Sequence, residues 1–486
     1  MLSIKAFILK TQEVNSKAIH SNSLEMDYEQ LRKRVLETTA VLNSFGIKRG
    51  ENVAIIGNNE TQFLINVLAL WQINAVPVLI NPRSVKDEIN RQIYTTNCKV
   101  VLQSNKIKAF DPEFNIKVFK YPFTTDQVTN KTNISDELYP EDTAVIIFTS
   151  GVSGDSKGVE LSFNNLLQSA RIGDQVINHN KNDRALASLP FYHIGGFSIF
   201  TRVLLFGASI IIPDSIQTDE LSASINKFKP TLCSFVPTQL KRMLSAEIQP
   251  NDELRIVLLG GGVIEQRLVY EAISVGWSIT KVYGLTETAS FITALAGEDV
   301  SDKPKSVGKA VKPNRIIIVN ENRFQIPWGE VGEIAVSSLA VMKGYFHNEI
   351  ETNSKFENGY FLTGDIGYLD ADGFLYIEAR KTDLIVTGGE NVNPNEVEKR
   401  ITEHPDIIDA AVFPIIEDEW GEVVTAAVVL KDSKIKINID ELRQFLKKDL
   451  AGFKLPKKLF VVKKLPKNEL GKILRGKLIE EFEKKR

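Results

Sequence analysis

Residues 146–158 read Ile-Ile-Phe-Thr-Ser-Gly-Val-Ser-Gly-Asp-Ser-Lys-Gly. An apolar run of strand type breaks into a loop of hydroxyls and glycines that closes on a lysine. Glycine admits positive φ and lets a ligand come close to the main chain. Successive N–H groups, joined by hydroxyl and ammonium donors, suit a polyphosphate. The donors are Thr149, Ser150, Ser153 and Lys157, with Gly151 and Gly154 between them. The stretch is not a Walker A loop, because Gly154 precedes Lys157 at the wrong spacing and Gly158 follows it in place of Ser or Thr.

On either side, apolar runs of strand length alternate with helical patterns. Asn52–Ile56, Ala75–Ile80, Val100–Gln103 and Ala144–Thr149 read as strands, and Glu60–Gln72 as a helix. Ser162–Ile172 opens on a serine suited to an N-cap and continues helically. Arg255–Leu259 and Ile279–Val282 return to strand type. This alternation predicts an α/β fold built on largely parallel sheet. From Ser306 to Ile377 short strands (Arg315–Val319, Gly332–Val336, Phe374–Glu378) sit among turn residues such as Asp370-Ala371-Asp372-Gly373, which predicts a smaller antiparallel, β-barrel-like subdomain or sheet. A boundary falls near Arg380–Asp383. Beyond it come a strand over Leu384–Thr387, a Gly-Gly turn, a helix from Pro394, strands at Ala410–Phe413 and Ala426–Val429, and a helix over Ile439–Asp449. That is an α+β pattern of domain size.

A chain of 486 residues is too long for one core, which agrees with two domains. With 43% apolar and 25% charged residues its composition is that of a soluble globular protein. A net charge of −2 gives no electrostatic reason to expect nucleic acid. The lysine-rich stretch from Lys447 to Arg486 reads first as solvated surface and second as a landing place for the phosphates of CoA. Cys98 and Cys233 are too few for a disulfide framework or zinc site and read as core residues. No apolar stretch approaches the ~20 residues that span a bilayer, and Met1–Lys10 carries no clear cleavage signal, so a cytoplasmic protein is expected.

Four further motifs follow in order. They are Tyr-Gly-Leu-Thr-Glu-Thr at 283–288, Thr-Gly-Asp at 363–365, Arg-Lys-Thr-Asp-Leu-Ile-Val-Thr-Gly-Gly-Glu at 380–390 and Pro-Lys-Asn-Glu-Leu-Gly-Lys-Ile-Leu-Arg at 466–475. With the first loop, the set resembles the adenylate-forming superfamily of acyl-CoA synthetases, luciferases and nonribosomal adenylation domains. The resemblance runs from about residue 27 to the C-terminus. It implies a large N-terminal domain of layered α/β subdomains over 1–379, a hinge at 380–382 with its pivot at Thr382, and a smaller mobile domain over 383–486. Family members often carry Asp or Lys at the pivot.

The same resemblance assigns chemistry. Making an acyl-adenylate requires holding ATP with Mg²⁺, aligning a carboxylate with the α-phosphorus, offsetting charge on the transferring group and excluding water. The 149–157 loop would grip the β and γ phosphates, with Val152 and Ser156 standing where the family more often has Thr or Ser and Pro. Glu287 is the implied magnesium ligand, a hard oxygen for a hard cation, and Thr286 would reach the α-phosphate. Tyr283 would face adenine. Gly260, Gly261 and Gly262 allow close approach of adenine or of the acyl carboxylate. Asp365 and Arg380 would hold the ribose. Lys472 would enter the site with the small domain, and after rotation the Gly388-Gly389 turn would leave a path for the thiol of CoA. Taken singly, several of these residues have plainer readings as core, turn or surface positions. No protein cysteine is required, because CoA brings the nucleophile.

The stretch Leu-Pro-Phe-Tyr-His-Ile-Gly-Gly-Phe-Ser at 189–198 marks the acyl pocket, with His193, Gly195, Gly261 and Ser290 as its candidates. Here the chain looks most like the 2-succinylbenzoate–CoA ligases of menaquinone synthesis. It departs from them at Gly195, where Ser is frequent, and at Ala289-Ser290-Phe291. Another aryl or medium-chain acid, a carrier-protein acceptor in place of CoA, and an adenylate-binding protein without catalysis remain open. The expected partners are a carboxylic acid, ATP and CoA, with neither nucleic acid nor a membrane span, and a homo-oligomer is allowed. Lys472→Ala is expected to lower the adenylation half-reaction about 10²–10³-fold, the cost of removing one donor aimed at developing charge. Thioester formation from supplied acyl-AMP should be spared, and single-turnover assays of each half-reaction measure both.

Overall fold

The computed structural model describes residues 2–3, 16–113, 116–123, 137–149, 156–262, 264–380, 385–392, 394–417, 421–432, 435–466, 473 and 475–483. Strands that are apolar on both faces need cover on both, which places them inside parallel sheets flanked by helices. A seven-stranded sheet has the order Gly344–Tyr345, Lys157–Ser162, Thr143–Thr149, Val76–Ile80, Asn52–Ile56, Val100–Ser104, Lys117–Tyr121. From Thr143–Thr149 to Lys117–Tyr121 the pairing is parallel. A nine-stranded sheet is parallel from Lys17–His20 through Ser209–Ile211, Arg184–Leu186, Leu232–Phe235 and Ile256–Leu259 to Ile279–Tyr283. Antiparallel strands close both its edges.

The helix expected at Glu60–Gln72 spans Thr61–Ile73, and every residue from Phe63 to Gln72 is buried. A helix apolar on all sides must be covered on all sides. Trp71 shows how. Its ring meets Phe163 and Phe197 edge-on, with centroids 5.2 and 6.3 Å away, and its indole N–H donates to the Ala144 carbonyl at 2.7 Å. The helix expected from Ser162 is started by a capping box. The Ser162 hydroxyl accepts from the Asn165 N–H, and the Asn165 side chain accepts from the Ser162 N–H. It runs past the expected end to Ile177.

Arg315–Val319, Gly332–Ser337 and Tyr360–Leu369 form an antiparallel sheet, with Phe356–Glu357 and Leu375–Arg380 both paired to Tyr360–Leu369. The turn read at Asp370–Gly373 is present, with Gly373 at φ +81° and its N–H bonded to the Asp370 carbonyl. Cys98 and Cys233 are buried and free. Among the described residues no helix is long and apolar enough to cross a membrane.

The chain divides into two compact units. The first comprises Met1–Pro82, Asn90–Thr149 and Gly158–Glu378, and the second Arg83–Ile89, Ser150–Lys157 and Ala379–Arg486. In the second, Ile407–Glu417 and Gly421–Leu430 form a long antiparallel pair, and Lys458–Val461 runs parallel to the latter. Alternation along these strands serves two cores. Ala410, Val412 and Val424 pack with the helices Pro394–Thr402 and Ile439–Leu446. Ala411, Phe413 and Val423 pack with Leu478 and Phe482 of the helix Arg475–Glu483.

One buried histidine of the first unit couples its stability to pH. The His179 side chain is 2% exposed, bonds Asp174 at 2.9 Å and stacks on Phe206 with centroids 4.7 Å apart. Burial, reinforced by the Arg202 guanidinium, depresses its pKa below the ordinary imidazole value despite Asp174 and Asp183. The unfolded chain therefore binds a proton more readily, and stability is lost as pH falls below about 6.5. Melting midpoints measured from pH 7.5 to 5 are expected to fall more steeply for the wild type than for His179→Gln.

Candidate active site

The parallel strands Leu232–Phe235, Ile256–Leu259 and Ile279–Tyr283 end side by side, and ligands of open α/β sheets bind beyond such carboxyl ends. Gly260–Gly262 follow one of these ends and Tyr283–Ser290 another. The Tyr283 hydroxyl donates to the Asp365 carboxylate at 2.8 Å. The two are 7% and 3% exposed, so neither is satisfied by bulk water. Asp365 lies on the Tyr360–Leu369 strand, where Gly364 takes φ +77° and donates its N–H to Glu333 at 3.1 Å.

After Tyr283 the chain turns sharply. A Cβ at Gly284 would collide with the Ser290 carbonyl, so only glycine permits the return. The turn Thr286–Thr288 is held by the Thr288 hydroxyl, which accepts from the Leu285 N–H at 2.8 Å. Ala289 and Ser290 then take φ +49° and +93°. The Ser169 hydroxyl secures this bend by donating to the Ala289 carbonyl. Glu287 projects from the turn half-buried, and its carboxylate accepts from the Tyr345 hydroxyl at 2.9 Å.

His193 sits at the N-cap of the helix Ile194–Phe206 without capping it through its side chain, and its ring lies edge-on to Tyr192 at 4.8 Å. The preceding loop is tied to Asn59, whose amide donates to the carbonyls of Ala187 and Leu189 at 3.0 and 2.8 Å and accepts from the Phe191 N–H at 2.8 Å. One turn into the helix, the Ser198 hydroxyl lies 2.9 Å from the Gly195 carbonyl and 3.3 Å from the Ser290 hydroxyl. A turn further on is Arg202, 5% exposed. Among the described residues it makes no hydrogen bond and no ion pair. Burial lowers its pKa to about 10, so the guanidinium stays charged at neutral pH. It lines a small internal cavity with His179, Ile199, Ser234 and Leu258.

AMP-binding enzymes match this chain over residues 10–346, and the AMP-binding enzyme C-terminal domain matches residues 396–472. The chain belongs to the AMP-binding enzyme family. A 2-succinylbenzoate–CoA ligase of Geobacillus sp. (strain WCH70) is 33% identical over 95% of this chain and 94% of its own length. One from Bacillus licheniformis is 34% identical over 95% and 96%. Among solved structures, o-succinylbenzoate CoA synthetase from Bacillus subtilis bound to a product analogue superposes with a TM-score of 0.91 at 29% identity, covering 96% of each chain. The same synthetase has been solved with ATP and magnesium ion (TM-score 0.75, 29% identity, 96% of each chain). As an AMP-binding enzyme of this kind, the protein is an AMP-forming acid–thiol ligase.

The structure brings together Tyr283 with Asp365, and Gly195 with Ser290. Thr149 ends one strand and Lys157 begins its neighbour in the seven-stranded sheet. Ser150, Gly151, Ser153, Gly154, Thr382 and Lys472 lie outside the described residues, as does the side chain of Arg380. In the second unit, Gly388 and Gly389 take φ +57° and +83° in a two-residue hairpin turn between Ile385–Thr387 and Glu390–Val392. Sequence reading missed Asn59, Ser198, Arg202 and Tyr345. For Arg202 a signal was present, since it is the one charge in the apolar helix 194–206.

Among the described residues, no three His, Cys, Asp or Glu side chains gather to hold a metal by themselves. Glu287 offers a single carboxylate, bonded to Tyr345, whose strand pairs with Lys157–Ser162. One carboxylate, completed by phosphate oxygens and water, is the donor set that suits magnesium. Tyr283→Phe removes a donor from a buried carboxylate. It is expected to cost about 1–3 kcal/mol in denaturant unfolding and to weaken ATP binding measured by calorimetry.

Proposed function

We propose that this AMP-binding enzyme is a cytoplasmic, ATP-dependent ligase that joins 2-succinylbenzoate to CoA, a step of menaquinone synthesis. The relatives supply the reading, and Arg202 is the structural observation that carries it. The acid has two carboxylates. One is activated, and the other needs a counter-charge inside an apolar pocket. A buried guanidinium with no acceptor among the described residues is costly unless an anion joins it. Benzoate, hexanoate or decanoate would leave it unpaired.

The reaction proceeds in two balanced halves. A carboxylate oxygen attacks the α-phosphorus of ATP, and pyrophosphate leaves. The CoA thiol, losing its proton, then attacks the acyl carbonyl and AMP leaves. Thr149 and Lys157 flank the loop assigned to the β and γ phosphates. Asp365, oriented by Tyr283, accepts from the ribose hydroxyls. His193, placed by the Asn59-tethered loop, faces the reacting carboxylate. Bound at Glu287 and phosphate oxygens, Mg²⁺ supplies charge that offsets the transferring phosphoryl group. Lys472 aligns the carboxylate with the α-phosphate, and Gly388-Gly389 gives pantetheine a path that no Cβ obstructs.

The test offers purified protein ATP, Mg²⁺ and CoA with 2-succinylbenzoate, benzoate, hexanoate, decanoate and a hydroxycinnamate, and identifies thioesters by mass spectrometry. Preferred 2-succinylbenzoyl-CoA with AMP release is expected, and preference for another acid overturns the assignment. In the same assay Arg202→Leu should lower kcat/KM for 2-succinylbenzoate by at least about 30-fold, the low end for stripping a buried charge of its partner. The monocarboxylates should gain or hold.

A further inference from the structure

The segment Met342–Phe346 touches two parts of the site at once. On one side it pairs with the strand that begins at Lys157. Val159 is in register with Tyr345, the Lys343 N–H donates to the Glu160 carbonyl at 3.0 Å, and the Phe346 N–H donates to the Gly158 carbonyl at 2.7 Å. On the other side it holds Glu287 twice. The Met342 N–H donates to the Glu287 carbonyl at 2.8 Å, and the Tyr345 hydroxyl donates to Glu287 Oε1 at 2.9 Å. The segment is itself anchored. Asn165 donates to the carbonyls of Leu339 and Val341 at 3.1 and 2.7 Å, and the Tyr345 N–H donates to the Thr352 hydroxyl at 2.9 Å.

Tyr345 is 6% exposed, so its ring is fixed by packing and its hydroxyl is aimed by the backbone pairing. A glutamate side chain in a turn has several rotamers of similar energy. A phenol donating to one carboxylate oxygen selects one of them and directs the second oxygen elsewhere.

We propose that Tyr345 is a positioning residue for magnesium. Its hydroxyl holds the Glu287 carboxylate in the rotamer that meets the cation of Mg·ATP, and the Met342–Phe346 segment sets the distance from that carboxylate to the phosphate-loop strand. The proposal rests on the reading of Glu287 as the magnesium carboxylate. The same segment bonds both the Glu287 turn and the strand Lys157–Ser162, so the turn and that strand keep their spacing.

The test measures binding rather than turnover. ATP affinity of the full chain is determined by calorimetry at a series of Mg²⁺ concentrations and without Mg²⁺, with neither acid nor CoA present, for the wild type, Tyr345→Phe, Glu287→Gln and the double variant. Tyr345→Phe is expected to raise the Mg²⁺ concentration at half-effect about tenfold, the scale of one hydrogen bond to a charged group. Affinity without Mg²⁺ should stay within twofold and the melting midpoint should stay near the wild type. In the Glu287→Gln background the same change should have no further effect on Mg²⁺ dependence. If Glu287→Gln leaves that dependence unaltered, the reading of Glu287 fails and the proposal with it. If Glu287→Gln alters it while Tyr345→Phe does not, the proposal alone fails. A Tyr345→Phe chain that melts well below the wild type, or binds ATP less well without Mg²⁺, assigns the hydroxyl to folding and overturns the proposal.

Discussion

The hydrogen bond from Tyr283 to Asp365 joins residues 82 positions apart on two different sheets, both almost fully buried. A carboxylate at that depth without a donor would cost several kcal/mol. This bond joins the nine-stranded sheet to the antiparallel sheet. Once they are joined, chain connectivity largely determines where the neighbouring candidate residues fall. The turn after Tyr283 presents Glu287, and the bend at Ala289 and Ser290 returns the chain to Ser198, beside the candidate acyl-pocket residues. Adenylation needs the nucleotide and the acid within reach of one another, and a bend of a few residues supplies that proximity.

Rigidity at this junction comes from short polar ties rather than from the apolar core alone. Asn59 holds the loop before His193 by three hydrogen bonds. Asn165 completes the capping box of its helix by accepting from the Ser162 N–H, and its amide donates to the carbonyls at 339 and 341. Each tie links elements distant in sequence, so each converts the fold's stability into the placement of a loop. A site held within fractions of an ångström needs such support beneath the residues that touch substrate.

Much of the fold was legible because buried parallel strands leave continuous apolar runs. Asn52–Ile56 and Arg315–Val319 appear at the expected bounds. The Ser162 cap was readable because capping is a local property. Ile385–Thr387 matches the strand expected in the second unit, but that unit's two long strands were legible only at their centres. Ile407–Glu417 and Gly421–Leu430 extend well past the apolar cores at 410–413 and 426–429, since their ends carry Asp409, Glu417 and Glu422 and pair through the main chain regardless of side chain. The motif residues Tyr283, Glu287 and Asp365 stood out by resemblance. Asn59 and Tyr345 did not, because their roles depend on partners far along the chain. No periodicity encodes a tether of that kind.

Two buried cations differ in how the fold pairs them. Lys281 is 2% exposed, and burial lowers its pKa to about 8. Its ammonium donates to the carbonyls of Pro304 and Ser306 at 2.8 and 2.5 Å, so its charge is solvated by main chain and pins a loop. Arg202 is buried to a similar depth with no such acceptor among the described residues. A leucine there would pack in the same helix at lower cost. Local rules are broken where function requires it. The desolvation that makes Arg202 a burden to folding also strengthens its attraction for an anion that enters the same apolar surroundings. An anion that reaches Arg202 would relieve that cost, so on the proposed function a dicarboxylate should raise the protein's melting midpoint more than a monocarboxylate of equal size.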